Sequence, residues 1–582
     1  MKQIVVGMSG HIDHGKTSII KSLTGKKTER YSQEIERGLT IDIGFAFLNK
    51  EITLIDVPGH EKFIKNMLSG SYAIDFSILV IAADDGIMPQ TKEHFQILQL
   101  LGVSSGIIVL NKIDLVEQDW IDLLIDDIKE MIKGSFLEDC KIIQTSTTKN
   151  IGINQLNHAI IDHASSVVSK DDRGFFRMAV DRAFIIKGYG TVVTGTVTSG
   201  KIRVGDLIEI MPNQKEYKVR GIQSHDIEVD EVSMGCRAAI NISNINIENI
   251  YRGHQISSRG YLKPVRNFIA SVSLLADTKK PLKQNQRIRI HIGTNECIAR
   301  ISLVDLNELP PGKNDIVLIK PESNIISAMD DKFILRNFSP LVTIGGGKFI
   351  DEVGGKSWKE IKSYIKIIRG FDSDKIKNHI IESRGFNPIG YNQIKSRFGL
   401  GEAQLNQFID SIKDMFLIEY KFQKWIVVKN QINNCKNQLL EILKSNKDIY
   451  DIGLSKSIII QRTNNGDEKF LNFLLEELKS ANEIYKNNEK WIIKGESIVL
   501  SDSDKTLKDN LLDILNKELF TTSNLEELSS RTNADQSKIK KILNILERGN
   551  EIVRLNQTLI FTVKNIDDLK NNMNEFFLLN DI

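Results

Sequence analysis

Residues Gly10-His11-Ile12-Asp13-His14-Gly15-Lys16-Thr17 have the spacing of a loop that wraps phosphate: a glycine, four residues, then glycine, lysine and a hydroxyl residue. The loop follows an apolar run, Ile4–Val6, and precedes a helical stretch that starts near Ser18. Its glycines let backbone N–H groups curl around phosphate oxygens. Lys16 can place a cation on the β and γ phosphates, and the Thr17 hydroxyl can ligate Mg2+. Three further groups come in the order such a site needs. Asp56-Val57-Pro58-Gly59-His60 follows the run Ile52–Ile55, where Asp56 can orient Mg2+ through water and the Gly59 N–H can face the γ-phosphate. Asn111-Lys112-Ile113-Asp114 closes another apolar run. Asp114 can accept from both the N1 and N2 protons of guanine, a pairing adenine cannot offer, while Lys112 lies along the ring. Ser146-Thr147-Thr148 can support the guanine O6 through backbone N–H groups. The nucleotide implied is GTP, held with Mg2+.

Gly38-Leu39-Thr40-Ile41 lies between the first two motifs, where a switch loop belongs that closes over Mg2+ and releases it after hydrolysis. Thr40 is the expected metal ligand there. His60 takes the water-positioning place that a glutamine fills in Ras-type proteins, and is the expected catalytic residue. Ile12 and Leu39 can stand as an apolar gate that keeps its imidazole from the water until a partner opens it.

These side chains need a scaffold that presents loops at one edge. From residue 1 to 171, short Val/Ile-rich runs (Ile4–Val6, Ile52–Ile55, Ile78–Ala82, Ile107–Leu110, Ile142–Ile143) alternate with amphipathic stretches. That alternation predicts a mostly parallel sheet wrapped by helices, an α/β P-loop GTPase domain with its chemistry at the carboxyl ends of the strands. Residues 172–262 and 263–350 change to β-branched runs punctuated by glycine, as in Phe184 to Gly205, and predict two small antiparallel β-barrels.

The last third predicts tandem winged-helix repeats over 355–430, 431–498 and 499–566, with a tail at 567–582. One apolar stripe returns three times: Leu405, Phe408, Ile409, Ile412; Leu471, Leu474, Leu475, Leu478; Ile539, Ile542, Leu543, Leu546. Each is followed by a strand pair ending in Trp425–Val428, Trp491–Ile493 or Leu559–Phe561. In the third copy Ser523 and Glu526 read as a capping box, Asn533 as a turn, Asp535 as the cap of the striped helix, Gly549 as its end, and Asn556-Gln557 as the turn of a hairpin. Such modules can bind nucleic acid or act as spacers, and the matched charges of this region favour neither.

Composition sets the frame. The 582 residues are too many for one core. A formal net charge of +2 neither demands nor excludes a nucleic-acid partner. The four cysteines form no metal-binding or disulfide spacing, which favours a reducing cytosol. No apolar run approaches the roughly 20 residues of a membrane span. A soluble cytoplasmic monomer is expected.

The motifs GHIDHGKT, DVPGHE and NKID resemble those of elongation factor Tu and its relatives, as does KGYGTVVTGTV with Gly205-Asp206 in the second domain. GLTIDIGFAF, residues 38 to 47, and the tandem helical modules are similar to the selenocysteine-specific elongation factors. This resemblance covers nearly the whole chain. It implies a factor that binds GTP and selenocysteyl-tRNA, delivers the tRNA to the ribosome at an in-frame UGA, and is tethered to an mRNA hairpin by its winged helices. By the same resemblance Asp181 and Arg237 match the family's selenocysteine pocket, with Arg237 as anion partner and Asp181 as its orienting carboxylate. Members of that family usually carry four winged helices, of which the last reads the hairpin. Here Ile566 to Ile582 looks like the opening helix of a fourth. The hairpin contact would then fall to the third module through Lys538, Lys540, Lys541 and Arg548, or to another protein, or be lost in a truncated product. The competing readings are another ribosome-associated or aminoacyl-tRNA-delivering GTPase, and a scaffold that binds nucleotide without hydrolysing it.

Overall fold

The computed structural model describes residues 3–26, 42–59, 67, 73–167, 171–225, 227–445, 453–487, 489–494, 500–519, 521, 523–555 and 559–579. Its first sheet is built from β1 (Ile4–Gly10), β2 (Gly44–Phe47), β3 (Ile52–Asp56), β4 (Phe76–Ala82), β5 (Gly106–Asn111) and β6 (Ile142–Gln144). The spatial order is β2-β3-β1-β4-β5-β6. All neighbours run parallel except β2, which is antiparallel to β3. Every residue of β1, β3, β4 and β5 is buried, as expected when helices cover both faces. The pleat sorts the side chains. Val6, Met8, Ile78, Val80 and Val109 meet α1 (Lys16–Thr24) and α4 (Ile153–Ser166) on one face, while Leu79, Ile81, Ile108 and Leu110 meet α3 (Gln118–Ile132) on the other. Between them α2 (Pro89–Leu100) follows β4. Strands β1, β3 and β5 all end where a motif begins, so one edge carries the loops.

Both expected barrels are present and closed. In the first, strands 207–211, 255–258, 177–179, 190–199, 237–242 and 215–224 pair in that order, and the last returns to the first. In the second, strands 268–274, 314–321, 295–302, 287–292, 332–337 and 343–352 form the ring. The closing strand runs through Glu352, past the expected limit at 350, because Phe268 and Ile269 pair with Glu352 and Asp351. Asp331 joins the two barrels by accepting from both Nη atoms of Arg177, at 2.8 and 2.7 Å. Burial alone would raise its carboxyl, but Arg177 and Arg173 hold it down at about 2.

The chain divides into two compact units, Met1–His379 with Gly390–Lys413, and Ile380–Ile389 with Asp414–Ile582. The boundary cuts across the expected module 355–430. In the first unit α5 (Trp358–Ile368), α6 (Ser373–Glu382, as far as His379), α7 (Tyr391–Phe398) and α8 (Glu402–Ser411) lie with the barrels. A buried knot ties them down: Arg397 donates from Nε and Nη2 to Asp351 at 2.8 and 2.5 Å, and the Tyr364 hydroxyl donates to the same carboxylate at 3.2 Å. Ile412, read from sequence as the end of the first stripe, is extended and lies past the last turn of α8.

In the second unit a hairpin (Met415–Tyr420, Gln423–Val428) runs straight into α9 (Lys429–Lys444). Then come α10 (Lys456–Arg462), α11 (Glu468–Ser480) and a second hairpin, Ile484–Asn487 with Lys490–Ile493. Trp425, Leu439, Leu443, Leu471, Leu474, Leu475 and Leu478 share one core. A separate core holds α12 (Asp502–Glu518), α13 (Leu525–Thr532) and α14 (Gln536–Arg548) against the hairpin Ile552–Arg554 with Ile560–Thr562, and α15 (Val563–Leu579) follows at once. The stripe residues Ile539, Ile542, Leu543 and Leu546 are all buried, Asn533 is left-handed, and Asp535 caps α14 by accepting from the Ser537 N–H at 3.0 Å. The capping box of α13 is shifted by one residue, to Asn524 and Glu527. Ser523 is instead engaged by the Glu518 carboxylate, which also holds Arg531. The expected turn at Asn556-Gln557 lies outside the described residues. Among the described residues no helix is long and apolar enough to cross a membrane.

Candidate functional site

The nucleotide motifs converge at the carboxyl edge of the first sheet. Lys16 is buried and donates from Nζ to the carbonyls of Gly10 and His11 at 3.1 and 2.6 Å, so its ammonium is held across the mouth of its own loop. Burial, opposed by Asp56 and Asp13, brings its pKa from 10.5 down to about 8. The Thr17 hydroxyl donates to Asp56 Oδ2 at 2.7 Å. A hydroxyl and a carboxylate this close form a hard oxygen pair of the kind Mg2+ selects, and they fit the metal that the motif implies. Gly59 presses on the same loop: a Cβ there would stand 2.6 Å from Lys16 Nζ and 2.7 Å from the Ile12 nitrogen. Only a bare backbone fits that approach.

Asn111 links this loop to the base-reading end. Its Nδ2 donates to the His14 carbonyl at 3.0 Å, and its Oδ1 accepts from Thr145 Oγ1 at 3.1 Å. Asp114 accepts from Thr148 Oγ1 at 3.0 Å, and Ser146, Thr148 and Lys149 hold its carboxyl below the usual range. Ser146 is buried, Thr147 half-buried, and Lys112 sits in left-handed backbone with its ammonium 2.9 Å from Asp84. The structure therefore brings Gly10, His11, Asp13, His14, Gly15, Lys16, Thr17, Asp56, Gly59, Asn111, Lys112, Asp114, Ser146 and Thr147 to one edge. Ile12 is half-buried in the loop. Its expected partner Leu39, with Thr40 and His60, lies outside the described residues.

Sequence reading missed His94 on α2. Its imidazole is fully buried and accepts from the Gly10 N–H at 3.1 Å. Burial first, then Lys16, His11 and His14, push its pKa from 6.5 down to about 3. His14 is likewise buried, with Nδ1 3.2 Å from the Val80 carbonyl and a pKa lowered by burial to about 4. Both rings are neutral at physiological pH. Helical spacing alone marks His94 as a core residue, and nothing in the sequence pairs it with Gly10.

A second constellation lies in the first barrel. Arg237 opens its strand next to Thr196, and its guanidinium engages Asp181 from Nη1, donates from Nη2 to Asp181 Oδ1 at 3.2 Å and to Thr194 Oγ1 at 3.3 Å. The Thr194 hydroxyl donates to Asp181 at 2.6 Å. Phe45 of β2 lies under the guanidinium, 3.5 Å from ring centre to Cζ. Beside them Arg182 pairs with Asp42 at 2.8 Å and donates to the Ile43 carbonyl at 3.1 Å, and Arg252 stands 3.8 Å from Asp42. Three guanidiniums and two carboxylates therefore meet in a half-buried wall shared between the first domain and the first barrel. The pairing of Asp181 with Arg237 was expected. Arg182, Arg252, Asp42 and Phe45 were not, because three segments far apart in sequence supply them.

The chain matches the Elongation factor Tu GTP binding domain over residues 1–166 and Elongation factor Tu domain 2 over residues 190–257. Residues 269–354 match the beta-barrel domain of the selenocysteine-specific elongation factor. A selenocysteine-specific elongation factor of Methanocaldococcus jannaschii is 31% identical over 449 residues, which cover 71% of this chain and 96% of that relative. This chain belongs to the selenocysteine-specific elongation factor family. A family member from Desulfomicrobium baculatum is 40% identical over 357 residues, 61% of this chain; the chain spans just over half of that relative's length, 56%. The crystal structure of a bacterial selenocysteine-specific elongation factor, EF-Sec, superposes with a TM-score of 0.71 at 27% identity, covering all of this chain and 92% of the other. The family's architecture of an elongation factor Tu-like domain, two barrels and a helical region is the one described above.

Proposed function

We propose that this chain is a GTP-hydrolysing translation elongation factor that carries selenocysteyl-tRNA to the ribosome at UGA codons and releases it when GTP is cleaved. The observation that carries the reading is the shared wall of the second constellation: β2 supplies Phe45, and the residues just before that strand supply Asp42, to the arginine cluster in the barrel beside them. Family membership supports the same cargo.

Lys16 and the loop amides would neutralise the β and γ phosphates, Asp114 would select guanine, and Asn111 would keep the two ends in register. Thr17, Asp56 and Thr40 would hold Mg2+, which would offset the charge of the phosphates. His60 would position the attacking water behind the gate of Ile12 and Leu39, a reading that rests on sequence position. A selenol is more acidic than a thiol, so the cargo side chain is largely anionic at neutral pH. Arg237, oriented by Asp181 in a partly desolvated site, suits that charge.

The domain division proposed is the one read from sequence, with winged helices over 355–430, 431–498 and 499–566. Contact with an mRNA hairpin would fall to the third of these. Lys540 is its first candidate, and Lys538 is 2.7 Å from Asp504 within the same module. A cytoplasmic monomer completes the reading.

The test is filter binding of the purified chain with GTP against selenocysteyl-tRNA, seryl-tRNA and a UGA-adjacent hairpin in parallel, together with ribosome-stimulated turnover of His60→Ala. Preference for selenocysteyl-tRNA over seryl-tRNA is expected, as is loss of stimulated turnover with GTP binding near normal. Equal affinity for the two tRNAs would refute the cargo, and unchanged turnover would refute His60.

A further inference from the structure

Two neighbouring residues of α2 reach buried partners in different parts of the first unit. His94 Nδ1 accepts from the Gly10 N–H at 3.1 Å, which fixes the ring with its lone pair on Nδ1 and its proton on Nε2. Gly10 is the joint between β1 and the phosphate loop. Its φ of +136° and its approach to the Val80 carbonyl, where a Cβ would stand 2.2 Å away, leave its backbone little freedom. Its own carbonyl receives the Lys16 ammonium at 3.1 Å. The residue whose carbonyl receives the phosphate-loop lysine is thus gripped from behind by an imidazole outside all four motifs. Lys16, His11 and His14 all oppose a proton on that imidazole, so it serves as an acceptor.

Glu93 faces the other way. Its carboxylate accepts from Thr343 Oγ1 at 2.7 Å and from Arg336 Nη2 at 3.5 Å, both in the second barrel. One turn on, Gln96 donates to Asp277 at 2.8 Å. A further turn on, Leu100 packs against Gly346, whose added Cβ would lie 3.2 Å from Leu100 Cβ. Positions 93, 96 and 100 recur at helical spacing and form one face, and position 94 is turned about 100° away from it.

We propose that His94 is a positioning residue for the nucleotide loop, and that α2, seated on the second barrel through Glu93, is the strut that keeps it there. The proposal rests on the reading of residues 10–17 as a nucleotide site. Removing the acceptor leaves the Gly10 N–H without its partner and loosens the loop without removing any side chain assigned to the nucleotide.

The experiment is stopped-flow release of a fluorescent GDP analogue from the full chain. A wild type that binds none would sink the nucleotide reading and this proposal with it. Given wild-type binding, His94→Leu should release the analogue on the order of ten-fold faster. His94→Asn, which puts Oδ1 where Nδ1 stands, should return the rate to within about two-fold of wild type. Wild-type release from a folded His94→Leu, or equal defects in the Leu and Asn variants, would overturn the positioning role. Should His94→Leu fail to fold, the Asn variant and the nitrogen NMR signature of the Nε2–H tautomer carry the test, and an Nδ1–H ring would overturn it. For the strut, Glu93→Gln with Thr343→Val should also speed release, and the combination with His94→Leu should be less than additive. Additive rates would refute the link to the barrel.

Discussion

The phosphate loop and the arginine pocket are both proposed to receive anions, yet they are built from opposite materials. The loop is mostly backbone: N–H groups, glycines that allow close approach, and one lysine held by two carbonyls. The pocket is side chain on side chain, guanidiniums against carboxylates and a phenyl face drawn from four separate segments. A backbone site recognises what every nucleotide shares. A side-chain site can be tuned to one cargo, and it exchanges internal partners for the ligand when the ligand arrives.

The contrast breaks most easily at the loop. Lys16→Ala should lower GTP affinity by at least about a hundred-fold in equilibrium titration, since it removes a desolvated cation from the phosphates. A loss below ten-fold would mean that the amides suffice. Arg237→Ala should weaken selenocysteyl-tRNA by about ten-fold or more while seryl-tRNA changes little. Equal losses would show that the pocket holds the tRNA end and not its charge.

Acid should test the histidines around the loop next. His14 and His94 ionise near 4 and 3 when folded, against about 6.5 when unfolded. The unfolded chain takes up the protons first, so stability is intact above pH 6.5 and falls as pH drops toward 4. The loss is about 1.4 kcal/mol per pH unit for each ring. The first transition in calorimetry of the nucleotide-free protein should therefore shift down between pH 6.5 and 5, and less so in His94→Asn. Asp331, held at about 2 between the barrels, has the same sign in a lower window: its contribution is complete above pH 4 and is lost only as pH falls through about 2. A transition insensitive to pH over the histidine range would contradict the burial of both rings. The smallest effect is expected at the third module. Lys540→Ala should reduce the salt slope of hairpin binding by about one.

Legibility in sequence follows the same division. Backbone sites need glycine and lysine at fixed intervals within one short segment, so all four nucleotide motifs and five of the six strands behind them can be read along the chain. β2 escapes because Gly44–Phe47 is short and pairs antiparallel at the sheet edge. The pocket is legible only at Asp181 and Arg237, through resemblance, because Asp42, Phe45 and Arg252 join them by tertiary packing alone. His94 is hidden for a related reason: a histidine on a buried helical face has the same pattern whether it grips a loop or fills a core. The misplaced cap at Ser523 shows a local competition. Glu518, five residues earlier, engages Ser523, and Asn524 takes over the cap.

The first hairpin ends at Val428 and α9 starts at Lys429, and the third ends at Thr562 with α15 starting at Val563. With no spacer at these joints, the last strand of each hairpin sets the direction of the helix that follows it. A repeat joined in this way can be duplicated or deleted in register, with no new linker to be invented each time.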